Sequence, residues 1–204
     1  MAAKAKKPSL NDAVLDAALD MAANGLWDTV TPASLAPHTG YGVGEIAAHY
    51  PTRSDIVRGL VVRTTERVLS QVKKVDPEDT AKDRLFELLM ARFDLLNAHR
   101  DGITAILKAS RKDPVALACH GKAVNRAMTA TLAAAGIAVD GLEGMAKSRG
   151  LLAVYLTGLR AWMKDETADM APTMAALDKA LTRADRVAQR MFTRGRGTKT
   201  DSDD

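Results

Sequence analysis

The chain has 204 residues, of which 47% are hydrophobic and 26% are charged, so it contains enough apolar material for one sizeable core. Only 4% are aromatic, and this composition favours helices and excludes an all-β fold. The single cysteine, Cys119, excludes an internal disulfide. The net charge of +4 allows an anionic partner without requiring one. Because neither a long apolar run nor a signal-peptide pattern occurs, we expect a cytoplasmic protein.

Helical periodicity, capping residues and Gly or Pro breaks divide the chain into about nine helices. Asn11 is a candidate N-cap for the first helix, and Thr31 with Pro32 begins the second, which stops before Gly40. The predicted fold class is therefore all-α. The predicted helices span residues 11–24, 31–38, 44–50, 52–75, 78–99, 102–111, 114–135, 140–164 and 170–192.

The second and third helices are short and are joined by a tight turn, which is the helix-turn-helix arrangement of DNA-binding proteins. Residues 14–60 resemble the N-terminal head of the TetR family of one-component transcriptional regulators. The resemblance lies in an apolar first helix, in Gly25, Trp27, Thr31, Gly40, Gly44 and Ile46, and in the run His49-Tyr50-Pro51-Thr52-Arg53. It implies a TetR-like fold with a three-helix head and a helical body. The expected domains are a disordered basic arm at 1–9, a head at 10–52, a ligand-binding and dimerisation body at 53–192, and a disordered tail at 193–204.

The resemblance places DNA recognition on the third helix and its borders. The candidate DNA-binding residues are Thr31, Thr39, Tyr41, Gly42, Val43, Glu45, His49, Tyr50 and Arg53. Residues 31–50 depart from the family pattern, because they contain no Lys or Arg and Glu45 is their only charged residue. A carboxylate repels DNA phosphates, so this departure argues against tight DNA binding. Lys4, Lys6 and Lys7 form either a DNA-contacting arm or a solvated tail.

The middle of the chain is rich in Leu and Met at helical spacing, which suits the lining of a pocket for an apolar or amphipathic ligand. Ordinary core packing explains the same pattern. The resemblance also implies a ligand pocket enclosed by the middle helices. The candidate pocket residues are Leu89, Phe93, Leu96, Leu107, Met128, Leu152, Tyr155 and Trp162.

The last helix carries a narrow apolar seam that suits a partner helix, and the helix before it is apolar nearly all round. In the TetR family the last two long helices form a dimer interface, so the resemblance implies a homodimer. The opposite side of the last helix has a basic stripe, which is either a solvated face or a contact for an anionic membrane surface or nucleic acid. The candidate interface residues are Met174, Leu177, Leu181, Ala184, Ala188 and Met191, and the basic stripe is Lys179, Arg183, Arg186 and Arg190.

Residues 149–181 are also similar to the lipid-binding accessory protein family of ubiquinone biosynthesis. That family is TetR-like in fold and binds isoprenoid lipids. The same positions have a structural interpretation, since Thr167 and Asp169 are suitable N-caps for the last helix. The similarity lies in Asp165, Thr167, Asp169, Thr173, Leu177 and Asp178.

Catalytic motifs do not occur: the four histidines are scattered, and no metal-binding or phosphate-binding pattern is present. We therefore expect neither enzyme activity, nor a metal, nor a cofactor. The leading hypothesis is a homodimeric TetR-like regulator whose binding to a DNA operator is controlled by a small apolar or lipid-like ligand. The alternative is a TetR-fold lipid-binding accessory protein of isoprenoid quinone biosynthesis that has lost DNA binding.

Overall fold

The computed structural model describes residues 8–71 and 79–194, except for the side chains of 191–194. The described residues form nine α-helices and one short 3-10 turn at Trp27–Thr29, with no strand among them, which confirms the all-α prediction. In chain order the helices are α1 Leu10–Ala23, α2 Pro32–Thr39, α3 Val43–His49, α4 Arg53–Ser70, α5 Ala81–Asn97, α6 Arg100–Ser110, α7 Pro114–Ala134, α8 Gly141–Trp162 and α9 Ala171–Arg194.

Local capping explains why the short helices begin and end where they do. The Thr31 hydroxyl accepts a hydrogen bond from the Ser34 backbone N–H at 3.1 Å, and the Thr31 N–H donates to Ser34 Oγ at 2.9 Å. Gly40 follows α2 with φ of +68°, a left-handed conformation that suits glycine. Gly42 is the N-cap of α3. The chain therefore turns sharply between α2 and α3.

The first compact unit consists of the described parts of Met1–Glu66 together with Asp94–Val124. Its core is formed by apolar side chains of the first four helices and of the segments that join them, together with Ile106 of α6. Arg63 of α4 reaches α1, where its guanidinium lies 2.6 Å from Asp16 and 3.6 Å from Asp12. The largest fully buried side chains of the unit are Val14, Leu15, Leu35, Ile46 and Ile56.

Helix α6 begins at Arg100, two residues earlier than predicted. Asp101-Gly102 looks like a helix break in sequence, but Gly102 is buried inside α6 for a packing reason. A Cβ at Gly102 would lie 2.5 Å from the backbone oxygen of Leu19. The glycine therefore allows α6 to approach the backbone of α1 closely.

The second compact unit consists of Arg67–Phe93 and Asn125–Asp204, as far as these are described. Helices α8 and α9 pack along each other. They approach closely at Gly158, where an added Cβ would lie 3.0 Å from both Leu177 and Phe93. The predicted arm and tail, and the predicted extension of α4 to residue 75, lie largely outside the described residues. The expected domain boundaries at 52/53 and 192/193 stay a prediction.

Candidate functional site

The turn between α2 and α3 is held by hydrogen bonds from its own side chains. The Tyr41 N–H donates to Thr39 Oγ1 at 3.3 Å. The Tyr41 hydroxyl donates to the backbone oxygen of Pro8 at 2.8 Å, which ties the turn to the start of α1. Thr39 is buried and Tyr41 is half-buried. Both candidates therefore shape the turn, and neither extends freely from the surface.

Helix α3 has one buried face and one exposed face. Ile46 is fully buried and anchors the helix to the core of the first unit. Val43 is 47% exposed, and Gly44, Ala48 and His49 are also exposed. The outward face of α3 is therefore lined by small and apolar groups, with His49 at its C-terminal end.

Glu45 is the only charged side chain on this face, and it folds back towards the start of its own helix. Its Oε2 atom accepts a hydrogen bond from the Gly42 backbone N–H at 2.8 Å. The ring of His49 lies one turn further on, with Nδ1 3.1 Å from the Glu45 backbone oxygen. The carboxylate thus satisfies a backbone donor that a helix start leaves unpaired.

The remaining DNA-binding candidates are divided between the surface and the core. Tyr50 is only 7% exposed, its hydroxyl donates to Asn11 at 3.2 Å, and its ring packs over Gly59. Burial raises the pKa of Tyr50 above its usual value. The Arg53 guanidinium already contacts Asp28 at 2.7 Å and the Trp27 backbone oxygen at 3.3 Å. Thus Tyr50 packs in the core, and Arg53 reaches the surface as part of an ion pair.

The head carries an acidic surface. Residues 8–52 contain no lysine or arginine and five carboxylates, which are Asp12, Asp16, Asp20, Asp28 and Glu45. Arginines of α4 pair with three of these carboxylates. Among the described residues, Asp20 and Glu45 have no ion pair. The lysines of the predicted arm, Lys4, Lys6 and Lys7, lie outside the described residues.

Five of the eight ligand-pocket candidates are buried in the second unit. The Phe93 ring stacks on Tyr155 with centroids 5.6 Å apart, and its centroid lies 6.5 Å from that of Trp162. Leu89 and Met128 are fully buried as well. Leu152 of the same unit is half-buried, while Leu96 and Leu107 are half-buried residues of the first unit. The eight candidates therefore do not all gather in one unit.

A buried cation accompanies this aromatic cluster. Arg92 is 3% exposed, and its guanidinium carbon lies 6.0 Å from the centre of the Tyr155 ring. Desolvation lowers the pKa of Arg92 and raises the pKa of Tyr155. Sequence patterning missed Arg92, because a single arginine within an apolar stretch is normally assigned to the surface.

A groove of about 680 Å³ lies in the second unit and is lined by parts of α5, α7, α8 and α9. Small residues form much of its wall, including Gly150 and Ala153 of α8. Lys82 and Lys147 line it as well and pair with Asp178 and Glu143 at 2.7 and 2.6 Å. The cations of α9 that line the groove are Lys179 and Arg183.

The predicted dimer seam corresponds to this groove only in part. Leu181, Ala184 and Ala188 line the groove. Leu177 is instead fully buried, Met174 is half-buried, and the side chain of Met191 lies outside the described residues. Helix α8, whose sequence is apolar nearly all round, exposes several large side chains to solvent in the single chain. These are Leu142 at 83%, Met145 at 51% and Leu156 at 40%.

Several of the residues that carry the similarity to the lipid-binding accessory family shape the connection between α8 and α9. The Asp165 carboxylate accepts hydrogen bonds from the backbone N–H and hydroxyl of both Thr167 and Thr173, over distances of 2.6 to 3.0 Å. These bonds hold the pKa of Asp165 well below its usual range. Asp169 accepts from the Ala171 N–H at 3.2 Å. Neither predicted N-cap directly precedes α9, which begins at Ala171. Asp169 lies two residues before it, and Thr167 donates to Asp165.

The described residues contain no group of three or more side chains suited to hold a metal ion. None of the described helices is long and apolar enough to cross a membrane.

The fold is that of solved TetR transcriptional regulators. The structure of a TetR regulator from Nitrosomonas europaea ATCC 19718 superimposes with a TM-score of 0.70 at 20% identity, covering 88% of this chain and 99% of that one. A TetR regulator from Rhodococcus sp. RHA1 superimposes with a TM-score of 0.64 at 19% identity, covering 85% and 93%. No protein-family model and no curated protein matches the chain. The TetR-like fold expected from the head is therefore confirmed, and at these identities the likeness concerns the fold.

Proposed function

We propose that the protein is a cytoplasmic, TetR-like one-component transcriptional regulator without enzyme activity. The observation that carries this proposal is the construction of α3. The helix is anchored from below by Ile46 and leaves Val43, Gly44 and Ala48 exposed on its outer face. A helix presented in this way after a tight turn fits the major groove.

A homodimer is part of the proposal and is supported by the exposed apolar surface of the second unit. All the exposed large hydrophobic residues described in that unit lie on α8 and α9. Of these residues, Val187 lines a groove with small-residue walls, which allow another helix to approach closely. Arg183 and Asp185 both line the groove, so a two-fold partner can offer each of them an opposite charge. Two heads in one dimer match a palindromic operator.

Control by a small apolar or amphipathic ligand is the third part of the proposal. It is supported by the apolar character of the second unit's interior and by the presence there of Arg92 and Tyr155, which can orient a polar end. For regulation, the dimer must have two states that differ in the spacing of the heads, and the ligand must bind one of these states more tightly than the other. Leu89, Phe93, Met128 and Trp162 remain the candidate contacts.

The acidic head favours a second candidate function. Phosphate contacts supply most non-specific DNA affinity, and residues 8–52 provide no lysine or arginine for them. A TetR-fold lipid-binding accessory protein of isoprenoid quinone biosynthesis has no need of such cations in its head. In that function the stripe of Lys179, Arg183, Arg186 and Arg190 on α9 would contact an anionic membrane surface.

Capture of fragmented genomic DNA by the purified protein, at low and at moderate salt, tests the two functions. We expect enrichment of a palindromic site that survives moderate salt, because base contacts are less sensitive to salt than phosphate contacts. Diffuse capture that disappears with salt would contradict the regulator. A lipid co-purifying at one molecule per chain would then support the second candidate.

A further inference from the structure

The outward face of α3 has an unusual composition for a surface that reads DNA bases. Val43 and Ala48 offer only apolar contact, and Gly44 offers no side chain. Glu45 is the acidic group on this face, and its Oε1 atom accepts no hydrogen bond from any residue that the structure describes. One carboxylate oxygen therefore caps the helix while the other remains available to a ligand.

A carboxylate accepts hydrogen bonds and cannot donate them, and this limits the base edges that it can read. In the major groove cytosine presents an N4 amino donor, whereas guanine presents the acceptors N7 and O6. Thymine presents the acceptor O4, and adenine presents an acceptor beside its N6 donor. Cytosine is thus the base whose edge a carboxylate matches best, and guanine and thymine are disfavoured.

Building on the proposed function, we infer that Glu45 is a specificity-determining residue that reads a cytosine in each half-site of the operator. Its exposed carboxylate accepts a hydrogen bond from the cytosine N4 amino group. The N-terminal residues of a recognition helix are those that contact base edges, and Glu45 is the third residue of α3. At a site without this cytosine, the carboxylate gains no hydrogen bond and is still repelled by the phosphates. The same residue therefore lowers non-specific binding.

Glu45→Gln is the informative variant because it keeps the local structure. A glutamine can accept the Gly42 N–H with its amide oxygen, as glutamate does, so α3 stays capped. With the amide oxygen at the cap, the NH2 group takes the outward position of Oε1, where it donates hydrogen bonds and cannot accept them, and guanine presents two acceptors, O6 and N7. The substitution therefore predicts a change from cytosine to guanine at one position of each half-site.

Asp20→Asn is the matched control. Asp20 is an exposed carboxylate of α1, so its removal changes the charge of the head by the same amount without altering α3. We expect this variant to bind DNA slightly more tightly with an unchanged sequence preference. It thereby separates base recognition from general electrostatics.

The experiment is selection from a random DNA library with the full-length wild type, Glu45→Gln and Asp20→Asn, each checked for helix content by circular dichroism. We expect the wild type to enrich a palindrome with cytosine at one position, and Glu45→Gln to enrich the same palindrome with guanine there. The preference at that position should change by roughly 5- to 150-fold. If Glu45→Gln enriches the same palindrome with cytosine unchanged, the inference about Glu45 is overturned and the proposed function stands. If none of the folded proteins enriches a palindrome, both the inference and the proposed function are overturned.

Discussion

The exposed face of α3 and the exposed faces of α8 and α9 are chemically opposite. The face of α3 has small side chains and one carboxylate, in a head without lysine or arginine between residues 8 and 52. The faces of α8 and α9 carry large apolar side chains such as Leu142 and Val187, beside the cations Lys179 and Arg183. The positive net charge of the whole chain therefore does not describe the surface proposed to contact DNA.

The contrast implies that the two proposed contacts depend on different forces. Apolar area on α8 and α9 gains free energy when water is excluded, which suits a permanent protein contact. The acidic α3 surface gains little from DNA phosphates, so under the proposed function its affinity for DNA comes from shape and base contacts. We therefore expect dimerisation to be strong and DNA binding to be weak away from the correct site.

Disrupting the apolar surface is expected to have the largest effect. Val187→Glu places a carboxylate in the α8–α9 groove, twice per dimer, where a partner would desolvate it. We expect the dimer dissociation constant to rise by about 100-fold or more. Sedimentation velocity over a dilution series measures the change. Val115→Glu, at an exposed apolar position of α7 in the first unit, should leave the dimer intact, and a wild type that is monomeric throughout would contradict the proposed interface.

Gly102→Ala tests the close contact between α6 and the backbone of α1. The added Cβ meets a backbone oxygen of α1, which cannot rotate away as a side chain can. We expect a loss of about 2 kcal/mol in the free energy of unfolding, as for an overpacked core. Urea denaturation followed by circular dichroism measures the loss. Gly121→Ala is the control, since a Cβ there meets nothing within 4 Å, and equal effects of the two substitutions would contradict the packing argument.

The loop that begins α9 is tested by Asp165→Asn. The amide cannot accept all the hydrogen bonds that Thr167 and Thr173 donate, and we expect the Tm to fall by about 5 °C at pH 7. Asp169→Asn, which affects the single bond to Ala171, should have a smaller effect. Thermal unfolding followed by circular dichroism measures both.

The same loop predicts a pH dependence with a definite sign. Folding lowers the pKa of Asp165, so its contribution to stability is present above the unfolded value of about 4 and disappears as the pH falls through the folded value. The difference in Tm between wild type and Asp165→Asn should therefore shrink as the pH falls below about 4. A difference that stays constant down to pH 3 would show that the charge of Asp165 plays no part.

Sequence patterning located all nine described helices because their caps and breaks are local signals. It placed the start of α6 two residues too late, because Asp101-Gly102 looks like a helix break in the sequence. The glycine is instead required by a close contact with Leu19, which is over eighty positions away along the chain. It could not reveal that Tyr50 lies in the core or that Leu142 is exposed, because both depend on tertiary packing. Sequence alone did identify Glu45 as the exceptional residue of the head, since the absence of neighbouring cations is a matter of composition.

The smallest expected effect concerns the charge of the head and is tested by Glu45→Lys on a DNA fragment that lacks the operator. The substitution replaces a repelled group by one that neutralises a phosphate in each half of the dimer. We expect about tenfold tighter non-specific binding at low salt, with a salt dependence steeper by roughly two units of slope per dimer. Fluorescence anisotropy over a salt series measures both quantities. Glu87→Lys makes the same change of charge at an exposed position of α5 outside the head, and an equal gain from this variant would mean that α3 does not face the DNA.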